Sequence, residues 1–215
     1  MPELIAPQYV ILEYPEDAHL RIERAARICY KSEDKITEGS AEKLTRGLIE
    51  RRHYAMVEFG GWIVVKFFSN RGFTHELVRH RLSSLAQEST RYCNYSKGKF
   101  SGAITCVDPS AMLEMKVSDP GKRAEFKADM IESWAQCEAK YMSMVECGCP
   151  AEIAREVLPI GLKAEIVIGA NVREWRHIFS LRCSKKAHPR MRELMLPLRE
   201  ELQSLVPVVF DDLGE

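Results

Sequence analysis

Arg79-His80-Arg81-Leu82-Ser83-Ser84-Leu85-Ala86-Gln87-Glu88-Ser89-Thr90-Arg91-Tyr92 sets three guanidinium groups, one imidazole, one carboxylate and several hydroxyls within fourteen residues. Lys and Arg together number 31, as do Asp and Glu, so this concentration stands out against a chain with no net charge. Arginine presents a planar fork of donors matched to phosphate and carboxylate oxygens, and short hydroxyls with nearby backbone N–H groups complete such a cradle. The stretch therefore reads as a surface that holds an anion. Its competing reading is a helix end, with Arg79 and Arg81 near the C-terminal dipole and a polar turn after it. What flanks it has to decide.

Upstream, residues 62–68 (Trp-Ile-Val-Val-Lys-Phe-Phe) are apolar at both parities, which predicts a central strand covered on both faces. Ser69 or Asn70 then caps a short helix carrying Phe73, Leu77 and the Arg-His-Arg, after which the chain gives way to a loop. Residues 8–14 predict a first strand ended by Pro15. Residues 17–30 predict a helix with Leu20, Ile22, Ala25, Ala26 and Cys29 inward and Arg21, Glu23, Arg24 and Arg27 outside. Ser40 is placed to cap a second helix running to Arg52.

Downstream, residues 103–107 predict a short strand, and Asp119-Pro120 starts the longest helix, striped by Phe126, Met130, Trp134, Cys137, Tyr141 and Val145. That stripe reads as core packing. A short helix over residues 152–158 ends at Pro159, and residues 163–170 read as a strand or buried connector. Asn171 caps a helix to Arg182, and a last helix begins near Ala187-His188-Pro189 with Pro197 inside it.

At 215 residues and 46% apolar composition, the expectation is one domain with a full hydrophobic core, spanning residues 1–215. A neutral chain has no global field to attract nucleic acid or an anionic membrane, so any anion site must be local. No apolar run approaches the roughly 20 residues of a membrane span, and the start lacks a signal-peptide form, so a cytoplasmic location is expected. The seven cysteines are odd in number and scattered without a Cys-x-x-Cys pair, which predicts reduced thiols. No histidine pair has metal-ligand spacing, and no metal is assigned.

Arg-His-Arg, seven residues, Ser, one residue, Arg fixes five positions and resembles the signature of flavin-dependent thymidylate synthases. Such a match arises by chance in on the order of one chain in ten thousand of this length. Two further blocks resemble the same family in the expected order: Ala154-Arg155-Glu156-Val157-Leu158-Pro159, and Asn171-Val172-Arg173 with its helix closing on Leu181-Arg182. The resemblance covers residues 50–200. It implies an α/β (α+β) fold with a mostly antiparallel central sheet packed by helices, assembled as a homotetramer with active sites at subunit interfaces. It also implies reductive methylation of deoxyuridine monophosphate (dUMP) to thymidylate, with 5,10-methylenetetrahydrofolate as carbon donor and NADPH reducing FAD.

Carried over residue by residue, the resemblance gives dUMP to Glu76, Arg79, Gln87, Glu88, Ser89, Thr90, Arg91, Arg155 and Arg182. It gives FAD to Ala55, Arg79, His80, Arg81, Asn171, Val172, Arg173 and His177, with His53 only near the flavin. Arg182 is the expected catalytic residue: a fixed guanidinium at the N3 and carbonyl edge of uracil makes carbon 5 more electron-rich. Spacing alone favours a plainer role for it, satisfying last-turn carbonyls of its helix. Two positions depart from the family pattern. Glu76 stands where many relatives carry glutamine, and Ala55 where they often offer a hydroxyl. There is no Pro-Cys-His element of the cysteine-dependent synthases and no Gly-x-Gly-x-x-Gly dinucleotide fingerprint. The rival from another class is a non-catalytic nucleotide- or RNA-binding module using Arg79, Arg81 and Arg91 on phosphates.

Overall fold

The computed structural model describes residues 1–100 and 102–214. Its elements mix helix and sheet. A four-stranded sheet has the order β2 (Gln8–Glu13), β3 (Trp62–Asn70), β6 (Lys163–Asn171), β4 (Ser84–Gln87). A separate parallel pair joins β1 (Glu3–Ile5) to β5 (Thr105–Val107), with Glu3 opposite Thr105. The helices are α1 (Ala18–Ile28), α2 (Ser40–Glu50), α3 (Arg71–Leu77), α4 (Ser110–Glu114), α5 (Pro120–Glu146), α6 (Ala151–Ala154), α7 (Val172–Arg182) and α8 (Pro189–Leu205). The chain divides into two compact units: Met1–Gln8, Phe67–Arg79 and Ala86–Ile166 form one, and Tyr9–Lys66, His80–Leu85 and Val167 onward form the other.

The first unit packs around Tyr95, Ile104, Cys106, Trp134, Tyr141, Ala154 and Leu162. The Tyr141 hydroxyl accepts the Tyr95 N–H at 3.3 Å, and the two rings meet edge to face at 5.6 Å. Asp119 caps α5 by accepting the Gly121 N–H at 2.8 Å, with Pro120 at the first helical position as the sequence predicts. The expected stripe on α5 is only partly core: Trp134 and Tyr141 are buried, while Phe126 is 40% exposed. The N-terminal half of this 27-residue helix is mostly exposed, held there by Lys127, which donates to Asp108 at 3.0 Å and Ser110 at 2.8 Å.

In the second unit the inward face of α1 is Ala18, Ile22, Glu23 and Ala26, whereas Leu20 and Cys29 point out. Glu23 tolerates burial because Arg27 bonds it at 2.8 and 3.1 Å and Ser40 donates to it at 2.7 Å. Ser40 is thereby the first residue of α2 instead of its cap, and Gly39, with φ of 76°, takes the cap position. Strand β3 is covered on one face only: Ile63, Val65 and Phe67 are buried, but Trp62, Val64, Lys66 and Phe68 are not. Asn70 accepts the Phe73 N–H at 2.9 Å and Asn171 the Glu174 N–H at 2.9 Å, capping α3 and α7 as expected. The segment after the arginines, expected to loop away, begins as strand β4 at the sheet's edge.

Gly161 precedes β6 where no side chain fits, since a Cβ there would stand 2.6 Å from Cε2 of the buried Trp134. Its carbonyl also accepts the Val107 N–H at 3.0 Å. Gly161→Ala should destabilise the fold by about 1–3 kcal/mol through overpacking. A urea-unfolding midpoint equal to that of the wild type would contradict this packing.

Candidate functional site

Within the first unit, the polar segment after β4 folds back on residues from α6 and β6. Thr90 is buried, and its Oγ1 accepts from Arg155 Nη1 at 3.3 Å. The two line a cavity of about 340 Å3 together with Arg71 and His75. Arg155 and Thr90, 65 positions apart in sequence, are thus brought together. Arg71 and His75 are additions, since the sequence marks them only as helix residues. Arg91 and Arg79 are exposed. The Nε of Arg91 lies 3.6 Å from Glu152 and its guanidinium 5.4 Å from the Tyr92 ring centre, both loose contacts on the surface. The Ser89 hydroxyl accepts the Arg91 N–H at 3.3 Å and shapes this turn.

Gln87 and Glu88, also expected at the nucleotide, are committed within this unit. Gln87 donates to Thr74 at 3.0 Å, and Glu76 is half-buried on α3. The Glu88 carboxylate accepts from Lys163 Nζ at 3.1 Å and from the Glu165 N–H at 3.2 Å. Burial opposes the charge on Lys163, but bonds to Glu165 and Glu88 outweigh it and hold the ammonium above its usual range. Lys163 and Glu165, read from sequence as plain strand residues, therefore turn Glu88 into an anchor for the start of β6. No local pattern marks such a partnership across 75 positions.

Within the second unit, the central feature is a chain of polar contacts. Arg182 Nε donates to His80 Nε2 at 3.0 Å, and His80 Nδ1 lies 3.5 Å from Glu174 Oε1. His80 is 5% exposed and Glu174 6%. Burial first, then the charges of Arg182 and His177, lower the His80 pKa to about 4, so the imidazole is neutral at pH 7. Its partners fix the tautomer: Nε2 accepts from Arg182, which leaves the proton on Nδ1 facing Glu174. Burial pushes the Glu174 carboxyl upward, although His177 and Arg173 pull it back. The His177 ring meets His80 edge-on at 5.8 Å. His80, Glu174 and His177 bring their ligand atoms within 4.8 Å of one another. Arg182 already occupies the Nε2 lone pair, however, and its charge opposes a cation there.

Several residues expected at the flavin surround two neighbouring cavities of this unit. Ala55 and Arg173 line one of about 1200 Å3, along with His53, Tyr30, Tyr54, Lys35, Arg27, Arg51 and Arg52. His177 and Arg173 line another of about 400 Å3 with Tyr54 and Leu82. Arg173 is paired with Glu58, and Arg81 is exposed. Asn171 spends its side-chain oxygen on capping α7; Val172 is fully buried and gives its N–H to Gly61. Neither offers a side chain to a ligand within this unit. The cations of α1 and of the segments flanking α2 carry no motif, because each stretch alone reads as an ordinary solvated face.

A cavity of this size lined by several cations and two tyrosines suits a dinucleotide: guanidinium forks match a diphosphate, and phenol rings give flat surfaces for aromatic bases. Among the described residues, no helix is long and apolar enough to cross a membrane.

Comparison with known proteins agrees with these features. The family model described as "Thymidylate synthase complementing protein" (Thy1) matches residues 10–208. The flavin-dependent thymidylate synthase of Geobacter sulfurreducens is 27% identical over 210 residues, covering 95% of this chain and 85% of its own. That of Corynebacterium glutamicum is 31% identical over 210 residues, covering 92% and 80%. The crystal structure of a UMP/dUMP methylase, PolB from Streptomyces cacaoi, bound with 5-Br dUMP, superposes with a TM-score of 0.81. At 21% identity over 97% of this chain and 95% of that one, it establishes likeness of fold.

The buried imidazole makes stability depend on pH. Its folded-state pKa of about 4 lies below the 6.5 of a free imidazole, so its contribution is complete above 6.5 and is lost as pH falls toward 4. Glu174, shifted the other way, works in the opposite sense. Stability of the wild type should therefore fall across this acid window, and His80→Gln should flatten the slope. Identical pH profiles of the urea midpoint for the two proteins would contradict the assignment.

Proposed function

The chain belongs to the flavin-dependent thymidylate synthase family, and from that membership we propose that it converts dUMP to thymidylate. In this reading 5,10-methylenetetrahydrofolate provides the carbon, NADPH the reducing equivalents, and FAD mediates between them. The whole chain acts as one catalytic domain in the cytoplasm, and four copies complete the active sites between subunits. Supporting the flavin assignment is the large cavity of the second unit, whose arginines suit a diphosphate and whose Tyr30 and Tyr54 suit flat rings. Bound there, FAD would supply the hydride that completes the methyl group.

What the chain itself contributes is placement and charge. Arg155, steadied by Thr90, and the solvent-facing Arg91 hold the nucleotide phosphate. Arg182 meets the N3 and carbonyl edge of uracil and stabilises negative charge there, which raises the nucleophilicity of carbon 5. The observation that carries this assignment is the bond from Arg182 to a buried, neutral imidazole. A lone arginine at a helix end would sample many rotamers, whereas this one has its Nε fixed by His80, itself fixed by Glu174. His80 and Glu174 are positioning residues in this scheme, and His80 is not a proton carrier, since it stays neutral down to about pH 4.

Cysteine chemistry is disfavoured. Cys183, next to Arg182, donates to the Met195 carbonyl at 3.4 Å, and burial pushes its thiol up to about 11. Such a thiol is almost wholly protonated at neutral pH and is a poor nucleophile. A flavin route needs no enzyme thiol at all.

Two substitutions separate the roles. Arg182→Ala should retain FAD, seen as the yellow absorbance of the purified protein, while kcat falls by about 100- to 1000-fold. Arg91→Ala should raise KM for dUMP by about tenfold with a small effect on kcat. Normal turnover by the Arg182 variant, or a colourless wild-type protein that binds RNA with steep salt dependence, would contradict the proposal.

A further inference from the structure

The end of α7, residues 183–186 and α8 enclose a further cavity of about 450 Å3. Lys185, Lys186, Arg192 and Arg199 line it, and no carboxylate does among the described residues. Lysines on a surface signify little by themselves, but Arg199 is only 6% exposed. Its Nη1 donates to the Gly214 carbonyl at 3.1 Å, and its Nε has no partner. Arg192 Nε is likewise buried and unpartnered.

The contrast with the chain's other buried arginines is informative. Arg176 spans both Asp212 oxygens at 2.6 and 2.7 Å, and Arg190 meets Glu193 at 2.6 Å. Arg199 has a carbonyl where they have a carboxylate. A guanidinium withdrawn from water is costly unless an anion answers its charge. Among the described residues, nothing in the cavity wall provides one. Cys183 faces Arg199 and Arg192, but burial keeps its thiol protonated. Glu200 follows Arg199 on α8, yet it is exposed and does not line the cavity.

We propose that this cavity is an anion site for a phosphate group, with Arg199 at its base, Arg192 at its side and Lys185 and Lys186 at its mouth. The guanidinium forks match tetrahedral oxyanions, and the two ammonium groups add attraction without fixed geometry. None of these residues is assigned to nucleotide or flavin above, so the site stands independently of the proposed reaction. Free phosphate and the phosphate of a small ester share the chemistry that would be recognised.

The test is calorimetric titration of the FAD-loaded full chain carrying Arg91→Ala and Arg155→Ala, which removes the other proposed phosphate ligands. Inorganic phosphate and ribose 5-phosphate are titrated in parallel, with ionic strength held constant by chloride. One saturable site per chain is expected, weakened at least about tenfold by adding Lys185→Ala and Lys186→Ala, and abolished by Arg199→Gln. Tighter binding of phosphate would identify the free anion as occupant, and tighter binding of the sugar phosphate an ester. The exposed lysine pair keeps the test decisive should the buried Arg199 variant fail to fold. Absence of saturable binding, or unchanged binding after loss of both lysines, would overturn the proposal.

Discussion

Everything proposed for the chemistry depends on one hydrogen bond, from Arg182 Nε to His80 Nε2 at 3.0 Å. It works because His80 is uncharged. A protonated imidazole would have no lone pair to offer and would repel the guanidinium, so burial of His80 is a requirement of the arrangement. Glu174, presented from the first turn of α7, faces the other ring nitrogen and selects the tautomer. The same helix therefore supplies Arg182 at its end and, near its start, the carboxylate that orients the residue holding Arg182. A charged side chain acquires a defined direction from groups that are themselves buried and rigid.

A neutral chain handles anions by segregating its cations. In one unit Arg155 and Thr90 share a small cavity; in the other, arginines of α1, of the turn after α2 and of α7 line a much larger one. Each set is local enough to act within a Debye length while the surface as a whole stays balanced. Carboxylates are distributed to match: Glu23 holds Arg27, Glu58 pairs with Arg173, and Asp212 grips Arg176.

Much of this was legible in the residues themselves. Asp119-Pro120, Asn70 and Asn171 announce helix starts because capping is a local interaction, and the helices begin where they predict. Strand β4 was missed because Ser84-Leu85-Ala86-Gln87 lacks β-branched residues and is held by its neighbours instead. The three-residue strand β1 is too short to show a period. On α1 the pattern misled: Glu23 reads as outward, but Arg27 and Ser40 neutralise it and let it turn in, leaving Leu20 outside. In the site, the arginine-rich blocks are visible as motifs. Glu174, Lys163 and the cations around the large cavity are not, since each gains meaning only from a residue distant in sequence.

The most direct test of the held guanidinium is tritium release from carbon-5-labelled dUMP by the Arg182→Lys protein, with FAD, NADPH and 5,10-methylenetetrahydrofolate present. Lysine keeps the positive charge but cannot offer Nε–H to His80 or a planar fork to the pyrimidine. A fall in release of about a hundredfold, with FAD still bound, is the predicted result. Release at the wild-type rate would mean that charge alone suffices, and that the bond to His80 has no part in the reaction.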